Sequence, residues 1–182
     1  MSVFFERKWA RALGRPLSVL FWDQSYKNTS LIFWNNKLRM FHFNIVRGIL
    51  MTNERVSKII IEQQTLCTFC NTASETICHL FWDCPIVGDF IQRINNRIIT
   101  EYPMYFSAWN KRSFVFSAKA KNILNPQNVF SLYIKYYIWI QRYYKKVLSV
   151  LGFINYFNLE LSITKAAFRG NITIDRLQII EH

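Results

Sequence analysis

All four cysteines of the chain lie within one short stretch that also contains a histidine. The spacing is Cys67-x2-Cys70-x8-His79-x4-Cys84. Clustered thiols are typical of an intracellular metal site, whereas a secreted protein spreads its cysteines to join distant loops. Three thiolates and one imidazole make a closed tetrahedral set, which is the ligand set of structural rather than catalytic zinc. We therefore predict that these four residues bind one structural Zn²⁺.

The remaining cysteine, Cys78, leaves the identity of one ligand undecided. It directly precedes His79 and could replace it, which would give an all-cysteine site. Neighbouring residues on a helix point about 100° apart, so the two side chains are not expected to bind the same ion. A helix is expected here because Thr72-Ala-Ser-Glu75 matches a capping box that would begin at Thr72. The predicted zinc module, at 66–86, is thus a knuckle followed by a helix.

The segments that must position this module are predicted to be helices, because their apolar residues recur at intervals of three or four positions. Trp34, Leu38, Phe41 and Ile45 predict a helix from about 30 to 50 with one buried stripe. We predict a mostly α fold in which residues 1–170 form one compact helical domain. Further helices are expected at 4–12, 16–27, 53–59, 86–99 and 127–150, with a final helix that ends at about Arg169. A short strand is expected at 113–116 and a frayed tail at 171–182. Ile77, Leu80 and Phe81 are expected to pack inward.

The distribution of charge is the second chemically informative feature. The net charge is +12, and residues 102–159 contain eight lysines and arginines but no Asp or Glu. A solvated surface normally mixes both signs, so a stretch of one sign indicates a polyanionic partner. Aromatic residues among the charges could stack on bases, which favours RNA or DNA over charge that only maintains solubility. The candidate contacts are Lys119, Lys121, Lys135, Tyr136, Arg142, Tyr143, Lys145 and Lys146.

Helical spacing within 127–150 orders some of these candidates. Lys135, Arg142 and Lys146 are seven and four residues apart and are expected to share one face. Tyr137 and Tyr144 lie on a different side and are expected in the core. Tyr136 and Tyr143 are therefore the better stacking candidates.

Two stretches resemble a known family. They are KLRMFHFNIVRGILMTN, at 37–53, and LCTFCNTASETICHLFWDCPIV, at 66–87. Together they resemble the C-terminal cysteine-rich region of LINE-type, non-LTR retrotransposon reverse transcriptases, also called the reverse transcriptase zinc-binding domain. The resemblance implies zinc binding and contact with an RNA or DNA backbone, with a reverse transcriptase or another protein as a further partner. Cys78 stands where this family usually has an acidic residue.

No enzymatic activity is expected from the sequence. Asp23, Asp83, Asp89 and Asp175 are isolated, so no carboxylate pair could hold the magnesium ions of polymerisation. The leading hypothesis is a nucleic-acid-binding module that lacks the polymerase and endonuclease parts, with the choice between RNA and DNA open. The alternative is a helical interaction or scaffold domain, or a retrotransposon remnant, whose zinc is purely structural. Uncharged stretches fall short of the roughly 18 apolar residues of a membrane span, so an intracellular protein, cytoplasmic or nuclear, is expected.

Overall fold

The computed structural model describes residues 3–32, 34–62, 64–103, 106–117 and 125–167. Within these ranges the only β pairing is an isolated bridge between Leu66 and Ser74, so the predicted mostly α fold is confirmed. No helix in the described ranges is both long and apolar enough to cross a membrane. The elements are α1 (Val3–Leu13), α2 (Val19–Ser30), α3 (Asn36–Val46), α4 (Asn53–Val56), a π-helical turn (His79–Asp83), α5 (Pro85–Glu101), α6 (Lys111–Val115), α7 (Pro126–Tyr143) and α8 (Val150–Ala167).

Helix α3 is shorter than the predicted helix at 30–50 because both of its ends have a specific stop signal. The Asn35 side chain caps the start and accepts a hydrogen bond from the Leu38 amide at 3.0 Å. At the other end Gly48 adopts a left-handed conformation, with φ 65°, and its amide bonds to the Ile45 carbonyl at 2.8 Å. Glycine takes this conformation without a Cβ clash, so it ends the helix before Leu50.

Helix α7 is the central element of the fold. It contacts α3, α6 and α8, and most of its side chains from 127 to 138 are buried. Aromatic rings fill the interface with α8, where Phe130 meets Phe157 edge to face at 5.0 Å. Edge-to-face rings of this kind add a favourable electrostatic term to the burial of their area.

Outside the zinc module, two of the predicted elements are wrong. Residues 113–116 were expected as a strand, but Lys111–Val115 is the helix α6. A reciprocal capping box explains the difference, since Asn110 accepts from the Ser113 amide at 2.8 Å and Ser113 Oγ accepts from the Asn110 amide at 3.0 Å. The helix predicted at 127–150 ends early, because α7 stops at Tyr143 and Lys145 adopts a positive φ of 52°.

Phe41 joins three elements next to the zinc module. The centroid of its buried ring lies 5.1 Å from that of Tyr136 and 6.2 Å from that of Trp139, both on α7. It lies 6.0 Å from the ring centroid of Phe81 in the π-helical turn. The predicted burial of Trp34, which precedes α3, and of Leu38, Phe41 and Ile45 on α3 is confirmed. The predicted inward packing of Ile77, Leu80 and Phe81 is also confirmed.

Truncation of this ring tests the packing. Phe41→Ala should reduce the free energy of unfolding by about 3–5 kcal/mol, because the side chain is enclosed and leaves a cavity. Urea denaturation of the zinc-loaded protein measures the change. The neighbouring Met40 is more than half exposed, so Met40→Ala should change the free energy of unfolding by less than about 0.5 kcal/mol. Equal losses in the two variants would contradict the packing described here.

Candidate metal centre

The four predicted ligands converge on one point. One ligand atom from each of Cys67, Cys70, His79 and Cys84 lies within 4.8 Å of the other three. The sulfurs of Cys67 and Cys84 are 3.8 Å apart, and Cys70 Sγ is 3.3 Å from His79 Nε2. Two thiolates bound at about 2.3 Å to a tetrahedral zinc must be roughly 3.8 Å apart, and a thiolate and an imidazole nitrogen roughly 3.5 Å. The donor set and its spacing therefore fit one structural Zn²⁺.

The first half of the site is a tight turn that presents two sulfurs. The Asn71 amide donates to the Cys67 carbonyl at 2.9 Å, and Asn71 closes the turn with a positive φ of 55°. The Cys67 amide donates to the Ala73 carbonyl at 2.8 Å. Backbone amides of residues 69 and 70 partly offset the rise in the pKa of the Cys67 thiol. At Cys70, where burial alone would raise the pKa, the Thr72 hydroxyl and the amides of residues 72 and 73 help to lower it. Amide donors aimed at sulfur favour the thiolate form that a metal requires.

The second half of the site depends on the π-helical turn. The Cys84 amide donates to the His79 carbonyl at 2.9 Å, five residues back, so the turn is one residue wider than an α-helical turn. At its start the Thr76 hydroxyl accepts from the His79 amide at 2.9 Å. Cys84 is also the N-cap residue of α5, and the pKa of its thiol is lowered by Cys67 first and then by the nearby backbone amides of residues 86 and 87. The positive end of the α5 dipole therefore lies next to a thiolate ligand.

Two of the ligand sulfurs lie within hydrogen-bonding distance of each other. The Cys67 thiol donates to Cys84 Sγ, and this hydrogen bond, followed by burial, raises the pKa of Cys67. The same bond lowers the pKa of Cys84. Zinc would replace that proton, since metal binding to thiols releases protons.

Cys78 does not belong to the cluster. It lies in a cleft of about 260 Å³ against α1, whose other lining residues include Lys8, Trp9 and Asp83. Burial there raises the pKa of the Cys78 thiol to about 11, which keeps it protonated. Of the two neighbours, only His79 lies with the other ligands, which agrees with the expectation that the two side chains do not bind the same ion.

The predicted capping box at 72–75 is wrong. Residues 71–76 form no helix, and the Thr72 hydroxyl donates to Cys70 Sγ at 3.2 Å. Glu75 is fully buried instead, where it accepts hydrogen bonds at 2.9 Å from the amides of Asn53 and Thr68. Its charge is paired with Arg142, whose Nη2 lies 2.7 Å from Glu75 Oε1. Sequence reasoning missed this network because its members are up to 89 positions apart.

Comparison with known proteins agrees with the ligand geometry. Residues 17–90 match the model of a family described as zinc-binding in reverse transcriptase. This part of the chain is similar to a reverse transcriptase zinc-binding region. The match begins just before α2, ends in α5 and includes all four clustered ligands. Neither the curated proteins nor the solved structures that were searched contain a match to the chain.

Lys135 does not lie on a surface for phosphate, so that part of the predicted contact set is wrong. Its side chain is fully buried, and Nζ donates to the Val115 carbonyl and the Ser117 hydroxyl, each at 2.7 Å. Burial lowers the pKa of Lys135 well below 10.5. The lysine serves as a hydrogen-bond donor between α7 and the end of α6.

Two further members of the predicted set also face inward. The Arg142 side chain is 10% exposed and is engaged with Glu75, so it does not share a free face with Lys146. Tyr136 is half-buried and packs edge to face on Phe41. Lys119 and Lys121 lie outside the described residues.

The remaining candidates lie together where α7 ends. Tyr143 is 71% exposed, Lys145 and Lys146 are exposed, and Tyr144 is also exposed at 62%, against its expected place in the core. We call residues 143–146 the α7 tip. It borders a shallow cleft of about 200 Å³ that is lined by residues of the zinc knuckle and of the tip. These lining residues are Thr68, Phe69, Ile86, Lys145, Lys146, Val147 and Leu148.

Cysteine substitutions test the ligand set. Cys67→Ser and Cys84→Ser should each lose the bound zinc, because a serine hydroxyl stays protonated and is a poor ligand for this ion. Cys78→Ser is the matched control and should retain about one zinc per chain. Metal content of the proteins purified under reducing conditions is the measurement. Loss of zinc only in Cys78→Ser would show that the ligand set is wrong.

The buried lysine has a consequence for pH dependence. Between the lowered pKa of Lys135 and 10.5, the unfolded chain binds a proton that the folded chain does not. The free energy of unfolding therefore rises with pH over that window, by at most about 1.4 kcal/mol per pH unit. Lys135→Met should flatten the rise, as urea titrations at several pH values would show. If the free energy of unfolding changed with pH equally in the variant and the wild type, the lowered pKa of Lys135 would be contradicted.

Proposed function

We propose that this chain is a zinc-stabilised nucleic-acid-binding module of LINE retrotransposon type, and that its contact surface is the α7 tip beside the zinc knuckle. The observation that carries the proposal is the position of Lys145 and Lys146 in one cleft with Phe69 of the knuckle. In this proposal the module works inside the cell, binds RNA or DNA and catalyses no reaction.

The chemistry of the tip supports a polyanionic ligand. Two exposed lysines follow two exposed tyrosines, and the Lys146 ammonium lies 5.7 Å from the Tyr144 ring centroid. Ammonium groups bind backbone phosphates, and tyrosine rings stack on unpaired bases with little dependence on sequence. Both carboxylates of the zinc module at 66–86 form ion pairs, since Glu75 pairs with Arg142 and Asp83 with Lys111.

A protein partner is the second candidate. Apolar side chains flank the tip, with Val147 86% and Leu151 67% exposed. Exposed apolar residues next to each other can mark a surface that docks another protein. This would be the surface of the scaffold alternative, with zinc holding the fold.

A salt series separates the two candidates. Labelled single-stranded RNA and DNA oligonucleotides of mixed sequence would be titrated with the zinc-loaded protein at several salt concentrations. If phosphates are bound, log Kobs should fall linearly with log[salt], with a slope of about −0.7 per phosphate contact. Lys145→Ala combined with Lys146→Ala should flatten the slope by about one to two contacts.

The matched control removes the same charge elsewhere. Arg93 and Arg97 on α5 are exposed and form ion pairs within that helix. Arg93→Ala combined with Arg97→Ala should leave the slope unchanged. A wild-type protein that binds neither oligonucleotide at low salt would refute nucleic-acid binding and favour the protein partner.

A further inference from the structure

Arg142 occupies an unusual place for a basic residue at the end of a helix. Its Nε donates to Glu75 Oε1 at 2.8 Å, and its Nη2 donates to Asn53 Oδ1 at 2.7 Å. Nη2 also lies 2.7 Å from Glu75 Oε1 in an ion pair. The guanidinium lies 4.6 Å from the Trp139 ring centroid. Its Nε and Nη2 are therefore committed within the protein, and only 10% of the side chain is exposed to solvent.

The groups that Arg142 contacts hold the zinc knuckle on both sides of its first ligand. Glu75 Oε2 accepts from the amide of Thr68, the residue after Cys67. The Asn53 side chain donates to the carbonyl of Leu66, the residue before Cys67, at 2.7 Å. Arg142 thus holds the side chains of Glu75 and Asn53, which in turn hydrogen-bond the backbone on either side of Cys67. Groups of this kind orient metal ligands although they do not touch the metal.

The other side of Arg142 is the α7 tip itself. The Arg142 carbonyl accepts from the Lys145 amide at 3.2 Å, and the Gln141 carbonyl from the Lys146 amide at 2.9 Å. These bonds close the helix and set the direction of the tip. Arg142 is consequently the residue through which the knuckle and the tip are held in one arrangement.

We propose that Arg142 is a positioning residue that couples zinc binding in the knuckle to the conformation of the α7 tip. Zinc fixes the backbone of the knuckle, which presents the Thr68 amide to Glu75. Glu75 is then held to receive the guanidinium, and the end of α7 is tied down. The coupling is a property of the protein alone, and only its use in regulating nucleic-acid affinity rests on the proposed function.

Zinc affinity is the first measurement. Competition with a chromogenic chelator should show that Arg142→Met lowers the zinc affinity by on the order of tenfold or more. Losses of this size are typical when residues that hydrogen-bond metal ligands are removed. Arg142→Lys restores a cation and one donor and should recover part of the loss. Arg93→Met is the matched control, since it removes an exposed, ion-paired arginine. Zinc affinity in Arg142→Met equal to that in Arg93→Met would overturn the proposal.

Amide hydrogen exchange is the second measurement, because a purely structural role would not make the tip respond to the metal. In the wild type, chelation should accelerate exchange at 144–146 more than in α2. In Arg142→Met at saturating zinc, 144–146 should exchange as fast as in the chelated wild type while α2 stays protected. Equal acceleration of the tip and α2 on chelation, or no acceleration of the tip, would overturn the coupling.

A second variant covers the case in which Arg142→Met does not fold. Glu75→Gln keeps the size of the side chain and removes the charge that Arg142 neutralises. It should show the same weaker zinc affinity and the same faster exchange at the tip, and wild-type values for both would overturn the proposal. Neither measurement uses nucleic acid. A failure of the salt-series experiment would therefore leave this coupling standing, and a failure here would leave the salt-series result unaffected.

Discussion

A fully buried carboxylate, Glu75, is the constraint on which the site depends. An ionised group removed from water needs hydrogen bonds and an opposite charge, and loss of one partner of a buried pair typically costs about 3–5 kcal/mol. Glu75 obtains these from two backbone amides and from Arg142. Meeting that requirement brings the knuckle, the start of α4 and the end of α7 to one place. The four zinc ligands are thereby attached to the body of the fold.

The metal site could be predicted from the sequence because it is local. All four ligands lie within 18 consecutive positions, and their spacing alone restricts which side chains can meet. The buried stripe on α3 could be predicted for a similar reason, since helical periodicity records which face is covered. The ends of α3 were misplaced although Asn35 and Gly48 are local start and stop signals that a sequence can show.

Features that depend on distant residues could not be predicted in this way. Lys135 was expected on a phosphate-binding face because it lies in an acid-free stretch and is seven residues from Arg142, but α7 packs against α3, α6 and α8 and buries this lysine. A nearly continuous apolar sequence then gives no sign of which residue faces inward. Arg142 appeared free for the same reason, since its acidic partner lies 67 positions away. The end of α7 at Tyr143 carries no glycine to mark it, and the left-handed residue is a lysine.

The separation between Glu75 and Arg142 also implies an order of assembly during synthesis. A ribosome produces the chain from its N-terminus, so every zinc ligand emerges long before Arg142 does. The knuckle can therefore take up its ion while Glu75 is still hydrated and unpaired. Only when α7 emerges can the carboxylate be withdrawn from water, and the nascent metal module then docks onto the helices that surround it. A metal held early by local contacts would in this way serve as the template on which the late half of the chain completes its core.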